Sequence, residues 1–154
     1  MLDGDGGKGN GGDLVIQAAD VTFTNGSLVN ATTLGAGQGG SVNLQATHQI
    51  QLDGSTTSIS SSSHGPGKAG FITLQGANLL LAEGADIQST SGFGYPNYHI
   101  LLSRTGSAND INIDLSDTLY MSGGSRISTA TAGVGDAGNI RIGTITKPLS
   151  LIHI

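Results

Sequence analysis

Gly12-Asp13-Leu14-Val15-Ile16 is a string that this chain writes four times. It returns as Gly40-Ser41-Val42-Asn43-Leu44, as Gly70-Phe71-Ile72-Thr73-Leu74 and as Gly138-Asn139-Ile140-Arg141-Ile142. Each copy is a glycine, a variable residue, then two aliphatics separated by one outward position. The first three glycines stand 28 and 30 residues apart. Self-similarity at that period points to a repeat architecture, in which each unit buries its apolar side against its neighbours.

Outward from the string, the first unit runs from Gly12 to Gly39 and holds three strand-like pieces: 13–18, 21–24 and 28–31. Alternation places Leu14, Ile16 and Ala18 on one side and Asp13, Val15 and Gln17 on the other. The second unit repeats the pattern with Val42, Leu44, Ile50, Leu52 and Ile59, the third with Ile72, Leu74, Leu79, Leu81 and Ile87. A second glycine column, Gly26, Gly54 and Gly84, stands 14 residues after each anchor glycine. A turn that needs positive φ accounts for it, and Asn25 or Asp53 before it can bond the local backbone. Two registers then compete for the fourth unit: one anchored at Tyr98-His99-Ile100, the other at Asn109-Asp110-Ile111. The pattern resumes at Leu119 and Gly138.

This divides the chain into a ragged glycine-rich start at residues 1–11, repeats over 12–146 with an irregular unit at about 92–115, and residues 147–154. That last segment matches no column and is set apart as a non-repeat tail, which an artefact would also explain.

Composition agrees with strands and turns. Twenty-six glycines could signal disorder, but 36% of residues are hydrophobic and fall in regular short runs. Eleven acidic residues against six basic leave a net charge of −5, so nucleic acid has no electrostatic footprint here. Cysteine is absent, which removes disulfides and thiolate metal sites. No apolar run approaches the roughly 20 residues that span a bilayer, and the first residues have neither the basic nor the apolar part of a signal peptide.

Asn-Gly between alternating apolar residues is a hairpin signal, so an antiparallel β-sandwich is the alternative fold. The columns favour a parallel β-helix, or β-solenoid, of 28–30 residues and three strands per turn. Equivalent residues then lie about 4.8 Å apart: Leu14, Val42 and Ile72 make one interior ladder, Ile16, Leu44 and Leu74 another. Neither end offers a cap. The expectation is a piece of a longer array that self-associates when isolated.

The blocks Gly9-Asn10-Gly11-Gly12-Asp13-Leu14, Glu83-Gly84-Ala85-Asp86-Ile87-Gln88-Ser89 and Gly135-Asp136-Ala137-Gly138-Asn139-Ile140 resemble repeats of filamentous haemagglutinin-type exoproteins. The resemblance covers about residues 9–146 and is closest to the Gly/Ser/Thr-rich versions of cyanobacteria and other Gram-negative bacteria. It implies a right-handed parallel β-helix, two-partner secretion through an outer-membrane partner of the parent protein, and an adhesin or biofilm factor at the cell surface. The family's secretion domain is not visible in these residues.

Candidate sites are few. Asp110-Ile111-Asn112-Ile113-Asp114 lacks the glycine and terminal glutamate of a calcium loop and reads as a solvated outer face. His48, His64, His99 and His153 are scattered, so neither metal nor another cofactor is expected. Phe93, Tyr95, Tyr98 and His99 gather three of the six aromatics. Such rings either contact a glycan or a partner, or pack over the irregular unit. Glycoside hydrolysis needs two carboxyls about 5–9.5 Å apart, and the acids mostly share no column. Asp86 instead shares one with Arg126, an expected surface ion pair. The resulting expectation is a non-catalytic shaft that presents surface loops. A glycan-degrading β-helix enzyme and a phage tailspike fragment are the alternatives.

Overall fold

The structure, a computed structural model, describes residues 7–92, 106–144 and 150–153, the last four and Thr144 by their backbone alone. Within them there are ten strands and no helix: β1 (Leu14–Thr24), β2 (Leu28–Asn30), β3 (Val42–Asp53), β4 (Ser58–Ser63), β5 (Ile72–Ala82), β6 (Asp86–Ser91), β7 (Ile111–Met121), β8 (Arg126–Thr131), β9 (Ile140–Thr144) and β10 (Ser150–His153). Among the described residues no helix is long and apolar enough to cross a membrane. The fold is all-β.

Every pairing among these strands is parallel, which rules out the antiparallel sandwich. One sheet runs β1-β3-β5-β7-β10, with β9 also on β7; the other runs β2-β4-β6-β8. Strands adjacent in a sheet come from successive repeats, so each repeat forms one rung on the next. The interior ladders fall where the alternation places them: Leu14 on Val42 on Ile72 on Ile111 on Ile140, and Ile16 on Leu44 on Leu74 on Ile113 on Ile142. Leu44, Leu52, Ile72, Leu74, Leu81, Ile111 and Ile113 are fully buried. Burial of one such side chain is worth about 1.5–3 kcal/mol.

Two details differ from the sequence reading, and a third settles a choice that it left open. The pieces 13–18 and 21–24 are one strand, β1, which changes register between Ala18 and Asp20. The third and fourth rungs change register at the same corner, between Gly76 and Asn78 against Leu115 and Thr118. A bulge bends the first sheet there instead of ending it.

Second, Gly54 is not the counterpart of Gly26. The turns between the two sheets close through Ser27 N to Thr24 O, Thr57 N to Gly54 O, Ala85 N to Ala82 O and Ser125 N to Ser122 O. Asn25-Gly26, Glu83-Gly84 and Gly123-Gly124 thus occupy the centre of their turns, all with positive φ, as a type I′ turn requires. The second turn centres on Ser55-Thr56, and Gly54 stands before it with φ 112°. Two extra residues displace the column, one at the register shift in the first sheet and one in the turn itself.

Third, the fourth rung is anchored at Asn109-Asp110-Ile111, since Ile111 pairs with Ile72. The competing anchor at Tyr98 lies outside the described residues. Part of the segment set apart as a tail, Ser150–His153, is β10 and pairs with Thr118–Met121.

Candidate functional site

Besides the two sheets, a third stack of backbone lines the interior, outside the strand-like pieces that the sequence predicts. It consists of Gly7-Lys8-Gly9-Asn10-Gly11-Gly12, Gly35-Ala36-Gly37-Gln38-Gly39-Gly40, Gly65-Pro66-Gly67-Lys68-Ala69-Gly70, Gly106-Ser107-Ala108-Asn109 and Gly133-Val134-Gly135-Asp136-Ala137-Gly138. Rung joins rung through Gly11 N to Gln38 O, Gly39 N to Lys68 O, Ala69 N to Ser107 O and Ala108 N to Asp136 O, at 2.7–3.0 Å. The glycines are required by close approach. A Cβ on Gly37, Gly67, Gly106 or Gly135 would lie 2.0–2.3 Å from the carbonyl oxygen of the glycine one rung below. Gly40, Gly70 and Gly138 are equally confined.

Hydroxyls tie this glycine stack to the second sheet. Ser61 Oγ accepts from Gly70 N at 2.7 Å and donates to Gly40 O at 2.8 Å, so one buried side chain spans two rungs. Ser89 Oγ accepts from Asn109 N, while Ser91 Oγ and Thr129 Oγ1 donate to Gly106 O and Gly138 O. Buried hydroxyls without such partners would each cost about 1–3 kcal/mol. This side of the interior is polar and fully engaged at these positions.

On the outside, the bend of the first sheet forms an open trough of about 450 Å³. Gln17, Gln45 and Gln75 line it together with small residues, among them Ala46 and Gly76. The glutamines stack, Gln17 Nε2 donating to Gln45 Oε1 at 2.9 Å and Gln45 Nε2 to Gln75 Oε1 at 3.1 Å. Each amide keeps a donor and an acceptor position for other partners. The trough can hydrogen-bond a neutral, hydroxyl-bearing chain; it holds no carboxylate pair.

Asp20, Asp86 and Asp110 face basic side chains instead. Asp86 and Arg126 pair in register through two bonds, 3.0 and 3.2 Å, the ion pair that the shared column implies. Asp86 raises the Arg126 pKa by hydrogen bonding and by charge. Asp110 accepts from Asn139 N at 2.7 Å and from Arg141; these bonds, the backbone one first, hold its pKa below the ordinary 3.8. His48 lies 3.6 Å from Asp20, both exposed. Among the described residues, no group of three or more His, Asp or Glu side chains is placed to hold a metal ion.

The aromatic candidates Phe93, Tyr95, Tyr98 and His99 lie outside the described residues. Their flanks are placed: Gly92 N donates to Ser63 O and Gly106 N to Gly65 O. The trough and the glycine stack were both missed from sequence. The trough's signal was Gln17, Gln45 and Gln75 recurring at the repeat period; the stack's was glycine three and five residues before each of Gly12, Gly40, Gly70 and Gly138. No family model, curated protein or solved structure matches the chain.

Proposed function

We propose that this chain is a length of right-handed parallel β-helix, serving as a non-catalytic shaft in a secreted or cell-surface adhesin-like protein. The observation that carries the reading is the continuity of rung-to-rung hydrogen bonding along all three stacks, the two parallel sheets and the glycine wall. A coil of this kind keeps few unpaired backbone groups for a protease to engage. It also extends at a constant rise of about 4.8 Å per turn, which suits a spacer that holds loops away from a surface. Phe93, Tyr95, Tyr98 and His99 are the proposed contacts to a host or biofilm glycan. The resemblance to filamentous haemagglutinin-type repeats supports an outer-membrane secretion partner for the parent protein.

Binding of the chain to a panel of polysaccharides, with turnover followed in the same samples, tests the reading. Retention without turnover, lost on replacing Tyr95 and Tyr98 by alanine, is the expected result. Turnover abolished by a single Asp→Asn change, such as Asp114→Asn, would replace the shaft by a glycan-degrading enzyme.

A further inference from the structure

Asn-Gly and Asp-Gly are the dipeptides in which a backbone nitrogen most readily attacks the preceding side-chain carbonyl, because glycine places no Cβ in its path. The described residues hold three of them: Asn10-Gly11, Asn25-Gly26 and Asp53-Gly54. In all three the glycine nitrogen is already donating to the next rung. Gly11 N bonds Gln38 O at 2.7 Å, Gly54 N bonds Ala82 O at 3.2 Å, and Gly26 N bonds Thr57 Oγ1 at 3.1 Å. Two of these acceptors are main-chain carbonyls, which side-chain substitution leaves in place. The third is a single hydroxyl. Thr57 is fully buried, and its Oγ1 also donates to Asp53 O at 2.8 Å, which fixes the lone pairs toward Gly26. Asn25 itself is exposed, with φ 55°.

We infer that Asn25 is a latent deamidation site that Thr57 holds shut. This goes beyond the shaft reading and does not depend on it. In the reaction Gly26 N loses its proton to hydroxide and forms a bond to Asn25 Cγ. The Cγ–Nδ2 bond breaks, and ammonia leaves with a proton taken from water. Water then opens the resulting succinimide at either carbonyl, giving aspartate or isoaspartate at position 25, with no oxidant or reductant involved. The first step cannot begin until Gly26 N leaves Thr57 Oγ1 and the carboxamide, now 3.3 Å from Thr24 Oγ1, swings onto it. Isoaspartate adds a methylene to the main chain inside the two-residue turn that joins β1 to β2. The register of β2 on β4, carried by only three residue pairs, is what that lengthening disturbs.

The test incubates the folded chain at mildly alkaline pH and follows isoaspartate at positions 25 and 10 by peptide mapping. Thr57→Val keeps the shape and removes the acceptor; Thr57→Ser keeps the acceptor. Thr57→Val is expected to raise the Asn25 rate about tenfold, the factor that one hydrogen bond of ordinary net strength supplies. Thr57→Ser is expected to leave it unchanged, and Asn10 to stay slow in every variant. An Asn25 rate in Thr57→Val equal to wild type overturns the inference. So does parallel acceleration of Asn10, which would mean that the rungs open together. A separate arm needs no variant: folded wild-type chain in which Asn25 reacts as fast as in denaturant also overturns it.

Discussion

The two sides of the interior solve the same stacking problem with opposite chemistry. Along the first sheet, rungs are joined by apolar ladders, Val42 on Ile72 and Leu44 on Leu74, where each side chain fills space above its counterpart. Where the second sheet meets the glycine stack, the buried side chains are the small hydroxyls of Ser61, Ser63, Ser89 and Ser91. Backbone approaches backbone closely, and Ser61, Ser89 and Thr129 supply directed bonds across the gap. Apolar packing tolerates small displacements because it is non-directional. A hydroxyl bridge weakens steeply with misalignment. The apolar side therefore supplies most of the stability, and the glycine side fixes how closely and in what register the rungs sit.

Four measurements would break or sharpen that contrast. Leu44→Ala, at a fully buried position between two neighbouring rungs, is expected to destabilise the chain by about 2–5 kcal/mol in urea denaturation. A loss under 1 kcal/mol would mean that the apolar ladder is not the main support. Gly67→Ala places a Cβ 2.0 Å from Gly37 O, and the backbone has to move. A loss in the upper part of about 1–3 kcal/mol is expected, with hydrogen exchange quickening in the glycine segments before the first sheet. Simultaneous loss of protection in both would show that the two sides are not separable.

Ser61→Ala leaves the Gly70 N–H without its hydroxyl acceptor. The expected cost is in the lower part of about 1–3 kcal/mol, and Ser61→Thr should recover most of it. The smallest effect is expected on the outside of the stack, at Asp110. Its pKa is lower in the folded chain than the ordinary 3.8. The deprotonated form is the one the fold favours, so its contribution is complete above the unfolded value and disappears as pH falls through the folded one. Asp110→Asn is therefore expected to cost about 0–1 kcal/mol at neutral pH and nothing under strongly acidic conditions. A constant difference between the two proteins at all pH values would count against this assignment.

The ladders were legible because alternation of two reveals which residues point inward, and Leu14, Val42 and Ile72 share both type and spacing. The glycine wall was not legible by the same test. Glycine contributes no side chain to a hydropathy pattern, and the same composition serves turns, loops and disorder. Only the carbonyl beneath Gly67, at a distance no Cβ can occupy, shows what the residue is for. Ser61 and Ser89 were hidden for a related reason, since a serine in a polar tract reads as surface until the Gly70 and Asn109 amides that it satisfies are in view. The displaced glycine in the second turn shows a further limit. Gly54 keeps the spacing of 14 residues from its anchor, yet an extra residue in each of two neighbouring stretches alters its role. The trough glutamines recur visibly, but the trough that they line exists only once the sheet bends at Ala18–Asp20.

By itself, the sequence determined the repeat, its period, the parallel ladders of the first sheet and the pairing of Asp86 with Arg126. Those follow from side-chain type at fixed intervals, which stacking turns directly into contact. The tertiary structure decided the rest: which anchor opens the fourth rung, where each turn absorbs its extra residue, and that glycine and serine form an interior wall. These depend on distances between backbones and on hydrogen-bond partners far apart in the chain. Close approach and satisfied polar groups are properties of the assembled stack, and no single repeat carries them alone.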